Sequence, residues 1–409
     1  MKEDMTQDWE NILKDLDVDE AWEVFKAALK TSLDDNTPKI KNRNSNQKRY
    51  KFPLEKKILA RVKKKHRAWQ RYMESKEVEK YREYCRERNA VRNLTRQSRR
   101  WFEKDIAEKS KEMPKKFWGY VNSRMKTRPG IPNLKKPDGM TEDDEQKAEV
   151  LQEFFTSVFT KEDLSKELPT LESKGCGDIG DIDFDEEEVY KLLTELNPNK
   201  SPGPDLFHPY ILKNLASEIK RPLHIIFKKS MTQGKLPKDW KKAQVSAIFK
   251  KGKKDDPNNY RPVSLTSISC KIMEKIVRKK LVDHMQENKL FSNKQYGFIS
   301  GRSTTLQLLH ALENWNETMD KGGQVDIAYM DFRKAFDKVP HQRLLHKLKA
   351  YGIKGEIFEW IEDFLHNRSQ QVIINGSSSK QGRVTSGIPQ GSVLGPILFI
   401  LFINDICLT

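Results

Sequence analysis

Apolar residues recur at helical spacing near the start of the chain. Trp9, Ile12, Leu13, Leu16, Trp22, Phe25 and Leu29 stand amid acidic residues and predict one or two short amphipathic helices. Residues 54 to 107 contain neither Pro nor Gly, and Ile58, Val62, Trp69, Val78, Tyr81, Val91 and Leu94 return at roughly helical intervals. This pattern predicts long helices with a narrow apolar seam and a Lys/Arg surface. EQKAEVLQEFFTSVFT predicts a further amphipathic helix turning Ala148, Leu151, Phe154, Phe155 and Val158 to a core, and SKGCGDIGDIDFDEEEV reads as a loop entering a helix capped near Asp183 or Asp185. Farther on the period changes. After the turn signal Lys321-Gly322-Gly323-Gln324, the residues Val325, Ile327, Tyr329 and Met330 form a β-prone run, and FRKAFD then favours a helix closed by Val339-Pro340. Gly387, Pro389, Gly391, Gly395 and Pro396 next force turn geometries. The seven apolar residues 397 to 403 follow as a buried helix, far short of the ~20 that span a bilayer.

Charge separates these elements into regions. The 409 residues and 36% hydrophobic content allow two or three domains, and the net charge of +17 is unevenly spread. Residues 41 to 128 hold 30 Lys plus Arg against 10 Asp plus Glu, with Trp69, Tyr72, Tyr81, Tyr84, Trp101, Phe102, Phe117, Trp118 and Tyr120 interleaved. A net of +20 there points to nucleic acid, held in a salt-dependent way, with Lys63, Lys64, Lys65, Arg67, Arg99 and Arg100 as candidate contacts. The alternative is a solvated helical hairpin that binds nothing in particular. Residues 138 to 195 hold 19 acidic and 5 basic residues without the EF-hand pattern, which suits a connector that shields or docks against the basic helices better than a metal site. Cys85, Cys176, Cys270 and Cys407 are far apart with no His at ligand spacing, so neither a zinc knuckle nor a disulfide-linked partner is expected. The acidic N-terminus lacks a signal-peptide core, and no membrane association is expected; a nuclear or cytoplasmic location follows, with KKKHR at 63 to 67 a weak import signal.

The candidate chemistry sits near the end. Asp331 closes the β-prone run, where a strand would hold a carboxylate at the edge of a cleft. Phosphoryl transfer needs such carboxylates, because two divalent ions about 3.5 to 4 Å apart must be fixed. One aspartate cannot supply this, and Asp337 reads as a local cap or pair, so Asp331 alone reads first as a solvent-facing side chain. SGIPQGSVLGP, a Gly-rich loop opening a buried helix, can let bases or phosphates rest against main chain or can be an ordinary tight turn. Both segments together are far more specific than either.

Together DIAYMDFRKAFDKVP at 326 to 340 and RVTSGIPQGSVLGP at 383 to 396 resemble the first two of three palm motifs of the reverse transcriptases of non-long-terminal-repeat retrotransposons, of the jockey or chicken-repeat-1 kind. NKSPGPDLFHPYILKNLA at 199 to 216, the segment 236 to 281 and KQYGFISGRSTTLQLL at 294 to 309 resemble the fingers, and FWGYVNSR at 117 to 124 with residues 139 to 160 resembles the preceding linker. The resemblance implies an α+β fold: a short helical lead (1–40), a basic helical linker (41–128), an acidic connector (129–195), right-hand polymerase fingers (196–320) and a partial palm with an antiparallel sheet (321–409). It implies RNA-directed DNA synthesis, with RNA template, DNA primer, deoxynucleotides and Mg²⁺ or Mn²⁺. Asp331 and the carbonyl of Phe332 would bind metal. Phe336 would reject a 2′-hydroxyl by bulk, and Gln390 and Gly391 would line the nucleotide pocket. Arg261 and Lys250 would meet the triphosphate. The plainer readings are a core aromatic for Phe336 and a solvated charge for Lys250. The aromatic-x-Asp-Asp motif that completes the family's metal site does not occur, nor does the endonuclease domain, so the resemblance implies that this chain alone does not extend a primer. A palm strand without neighbours would also favour aggregation. An inactive nucleic-acid-binding remnant is the second reading, and a basic scaffold for an acidic protein the third.

Overall fold

The computed structural model describes residues 3–37, 54–124, 130–163, 165–171 and 174–406. The chain forms two compact units: Met1–Pro38 with Ile131–Thr409, and Lys39–Gly130.

Helices α1 (Trp9–Leu13) and α2 (Val18–Asn36) open the first unit, with Asp8 and Asp17 at their N-caps; Asp17 and Glu20 cap each other reciprocally. Trp9, Leu13, Trp22, Phe25 and Leu29 are buried while Ile12 is exposed. Trp22 meets Trp240 edge-on at 5.3 Å, so this lead shares one core with residues far along the chain.

The second unit contains α3 (Lys56–Ser75), α4 (Val78–Glu108) and α5 (Pro114–Arg124). Ion pairs Arg61–Glu87 (3.3 Å) and Arg71–Glu83 (2.9 Å) fix α3 and α4 as an antiparallel hairpin, which turns at Lys76 with φ of 56°. Its buried hydrophobic side chains, among the described residues, are Ile58, Ala68, Ile106 and Tyr120. Near the turn Trp69 and Tyr84 (4.8 Å) and Tyr72 and Tyr81 (5.0 Å) pack ring to ring at tilted angles across the hairpin.

The first unit continues with the short antiparallel pair β1 (Lys135–Lys136) and β2 (Gly139–Met140), then α6 (Asp144–Ser157) and α7 (Glu186–Thr194). Asp143 and Asp185 cap the two helices. After α8 (Pro209–Asn214) and α9 (Ala216–Thr232) come β3 (Lys242–Phe249), β4 (Tyr260–Leu265), α10 (Ile268–Glu287) and α11 (Thr304–Asp320). The remaining elements are α12 (His341–Ala350), α13 (Gly355–Leu365), β5 (Arg368–Ile374), β6 (Ser377–Ser378), β7 (Gly382–Val384) and α14 (Gly395–Ile403). The sheet order is β4-β3-β5-β6, and β7 also pairs with β5. It is mixed rather than purely antiparallel, because β3 and β5 run parallel with Val245 opposite Val372. Helix α6 covers the sheet through Ala148, Leu151 and Phe155 against Val245, Tyr260, Val372 and Ile374. The acids ahead of and within α7 pair with α9 and α10: Asp183 with Lys228 (2.9 Å), Glu186 with Arg221 (2.6 Å) and Glu188 with Lys279 (3.4 Å).

Two local expectations fail. Residues 325 to 330 form no strand, and Ile327, Tyr329 and Met330 are exposed. Alternating apolar residues make a strand only where a neighbour completes the hydrogen-bond ladder, and no described strand pairs with this segment. FRKAFD is a run of turns rather than a helix, with Lys334 at φ of 57°.

Candidate active site

A cleft of about 520 Å³ in the first unit is lined by Lys250, Arg261, Asp331, Phe332, Phe336, Asp337 and Gln390, among others. Six of the seven residues assigned by resemblance to metal or nucleotide thus meet there, from segments up to 140 positions apart. The seventh, Gly391, lies beside them against β4. Its φ is +114°, and a Cβ would come within 2.5 Å of the Ser264 carbonyl oxygen.

Strand alternation positions Arg261. Tyr260, Pro262 and Ser264 point to the buried face of β4, so Arg261 between them is exposed toward the cleft. Lys250 follows the last residue of β3, its N–H donating to the Asn259 carbonyl at 2.8 Å, which brings its side chain to the mouth of the same hairpin.

The turn at 331 to 339 and the Gly-rich loop are tied together by main chain. Ile388 N–H donates to the Phe336 carbonyl (2.9 Å), Gly387 N–H to Val339 (2.8 Å) and the Ser386 hydroxyl to Asp337 (2.8 Å). His341 donates from Nε2 to the Gly387 carbonyl at 2.7 Å, and burial holds its pKa below the ordinary value. Gly387 has φ of +85°, and a Cβ would lie 2.7 Å from the carbonyl oxygens of Phe336 and Asp337. Glycine is required by both angle and space.

Phe336 is half-buried, stacks on Phe399 at 4.8 Å and lines the cleft, so it is core aromatic and cleft wall at once. Asp331 is exposed in the cleft. Asp337 is not a local cap: it accepts from Gln390 Nε2 at 3.0 Å, and burial pushes its carboxyl up. Lys334 Nζ lies 4.6 Å over the Phe154 ring; burial lowers its pKa, with Arg333, Lys250 and Arg261 adding to the effect and Asp337 opposing it. In the second unit Lys63, Lys64, Arg67 and Arg100 are exposed and Lys65 is partly covered. Arg99 instead pairs with Glu103 at 2.9 Å, and the Tyr120 hydroxyl donates to the same Glu103.

Sequence reasoning missed Glu274. Its carboxylate, fully buried on α10, accepts from the N–H groups of Val393 (2.6 Å) and Leu394 (3.0 Å) and so holds the end of the Gly-rich loop where α14 begins. Burial pushes its pKa up, against those two hydrogen bonds and the nearby Arg368 and Lys271. The signal was available: Glu274 occupies the core stripe defined by Cys270, Met273, Val277 and Leu281.

No group of three or more His, Cys, Asp or Glu comes together among the described residues, and none of their helices is long and apolar enough to cross a membrane. Cys85, Cys176 and Cys270 are free thiols, while Cys407 lies outside the described residues.

Residues 249–408 match the family reverse transcriptase (RNA-dependent DNA polymerase). The chain is 33% identical over 220 residues to the RNA-directed DNA polymerase from mobile element jockey of Drosophila melanogaster, an alignment covering 54% of this chain and 24% of that protein. It is 31% identical over 221 residues to a probable RNA-directed DNA polymerase from transposon BS of the same organism, with 54% and 24% covered. A longer match of 343 residues, 26% identical, covers 80% of this chain and 26% of an uncharacterized 149 kDa protein of transposon TX1 in Xenopus laevis. The chain spans about a quarter of the length of these curated relatives. Residues 249–408 therefore carry a reverse transcriptase domain, similar to those of RNA-directed DNA polymerases from non-LTR retrotransposons.

Proposed function

We propose that this chain supplies the nucleotide-accepting part of an RNA-directed DNA polymerase, together with a basic hairpin that holds nucleic acid. The observation that carries the reading is the convergence of Lys250, Arg261, Phe336 and Gln390 on one cleft. Arg261 offers a planar fork and Lys250 a point charge to phosphate oxygens. Phe336, braced by Phe399, presents bulk where a ribose 2′-hydroxyl would enter. Gln390 lines the same cleft, and Gly391 adjoins it against β4. Residues 196–320 and 321–409 serve as fingers and palm, 41–128 as the nucleic-acid-binding linker and 129–195 as a connector. RNA template, DNA primer and deoxynucleotides are the partners.

Two-metal transfer needs several carboxylates around the ions. The described residues offer Asp331 and the Phe332 carbonyl toward Mg²⁺ or Mn²⁺, while Asp337 is engaged by Gln390. This donor set does not fit a complete two-metal centre. It equips the cleft for binding and selection of the nucleotide; a non-catalytic nucleic-acid binder is the second reading.

Titration of the purified chain with fluorescent deoxynucleotide and ribonucleotide, with and without an RNA–DNA template–primer, tests the proposal. Preference for the deoxynucleotide, reduced in Phe336→Ala, with weaker binding of both in Arg261→Ala, is expected. Absence of nucleotide binding in the presence of template–primer would sink the cleft assignment. Template-dependent incorporation that disappears in Asp331→Ala would remove the non-catalytic reading.

A further inference from the structure

Gln390 is held at both its main chain and its side chain. Its carbonyl accepts from Ser264 N–H at 2.7 Å, and its Nε2 donates to Asp337 Oδ1 at 3.0 Å. A carboxylate offers acceptors, whereas an amide has a donor end and an acceptor end. With Nε2 turned to Asp337, Oε1 is the end left for the cleft.

Asp337 is an expensive residue for packing alone. It is 7% exposed, and its Oδ2 has no partner among the described residues. Burying a carboxylate costs more than burying an isosteric apolar side chain unless the charge is used. Lys334 is the neighbouring charge that favours its ionised form. A small chamber of about 30 Å³ borders Asp337 and Gln370, whose Nε2 is also unpartnered. Both side chains line one water-sized space, which suits a single bridging water and would leave Oδ1 to Gln390.

We propose that Asp337 is a positioning residue that fixes the amide polarity of Gln390, so that the cleft presents a hydrogen-bond acceptor to a hydroxyl or amino group of the bound nucleotide. The ligand class rests on the nucleotide reading of the cleft; the orientation of Gln390 does not.

The test uses the full chain labelled with ¹⁵N-glutamine. The Gln390 side-chain resonance, assigned by its loss in Gln390→Ala, exchanges slowly with solvent in the parent. Exchange speeds at least tenfold in Asp337→Leu, which removes the acceptor at similar volume, and is partly restored in Asp337→Asn, which keeps one. Should the leucine variant not fold, slower exchange in the parent than in the asparagine variant decides the point. In fluorescent-deoxynucleotide binding with template–primer present, Asp337→Leu weakens affinity about tenfold in the parent and not at all in Gln390→Ala. Unchanged exchange, or additive losses in the double variant, overturns the proposal. A parent that binds no nucleotide overturns the function of the cleft, and the exchange measurement then rules on Asp337 alone.

Discussion

Glu274 offers the sharpest test of how the Gly-rich loop is held. Its carboxylate satisfies two N–H groups at the start of α14 from a fully buried position. Replacing it with Leu leaves both donors without a partner, at about 1–3 kcal/mol each, so Glu274→Leu should lose about 2–6 kcal/mol. Glu274→Gln keeps an acceptor and should stay within about 1–2 kcal/mol of the parent. The pH dependence has a definite sign. Burial raises the folded-state pKa above the ordinary glutamate value of 4.5, so the stabilising form is the protonated one. That contribution is complete below pH 4.5 and fades as pH rises through the folded pKa, whereas Gln is neutral throughout. The stability difference between parent and Glu274→Gln should therefore shift toward Gln as pH rises above 4.5. Urea unfolding of the three proteins across this range measures both effects. Equal stability of the Leu and Gln variants, or a parent that gains on Gln as pH rises, would refute the reasoning.

Gly387→Ala combines a disfavoured φ with a clash against two carbonyl oxygens and should cost about 3 kcal/mol in urea unfolding. Burial depresses the pKa of His341 below 6.5, so the unfolded imidazole takes up its proton first. Stability should fall as pH drops below 6.5, and His341→Gln should flatten that slope. RNA binding should weaken linearly in log K against log salt, with a shallower slope in the Lys63→Ala/Lys64→Ala pair. Tyr329 is 87% and Met330 94% exposed, and Leu306, Leu308, Leu309 and Leu312 of α11 are exposed too. Replacing Tyr329 and Met330 by Lys should reduce self-association in light scattering.

Much of the helical architecture was legible because its cause is local. Asp185 caps the helix whose start was expected near Asp183 or Asp185, and Ala148, Leu151 and Phe155 face the core that their spacing implied. The long helices α3 and α4 followed from a stretch free of Pro and Gly, while their turn at Lys76 came from the structure. The segment 325 to 330 was misread because strand formation is not local: the apolar alternation is there and the pairing partner is not. Asp337 was read as a local partner because nothing in its neighbourhood reveals Gln390, 53 residues away.

By itself the sequence determined where charge collects, which segments coil into helices, and which motifs resemble those of reverse transcriptases; each depends on residues close together along the chain. Tertiary structure alone decided that Lys250, Arg261, Asp331, Phe336 and Gln390 share one cleft. It also decided that Glu274 and Asp337 hold the loop carrying Gln390. A buried carboxylate chooses its partners by proximity in space, and only the packed chain sets that distance.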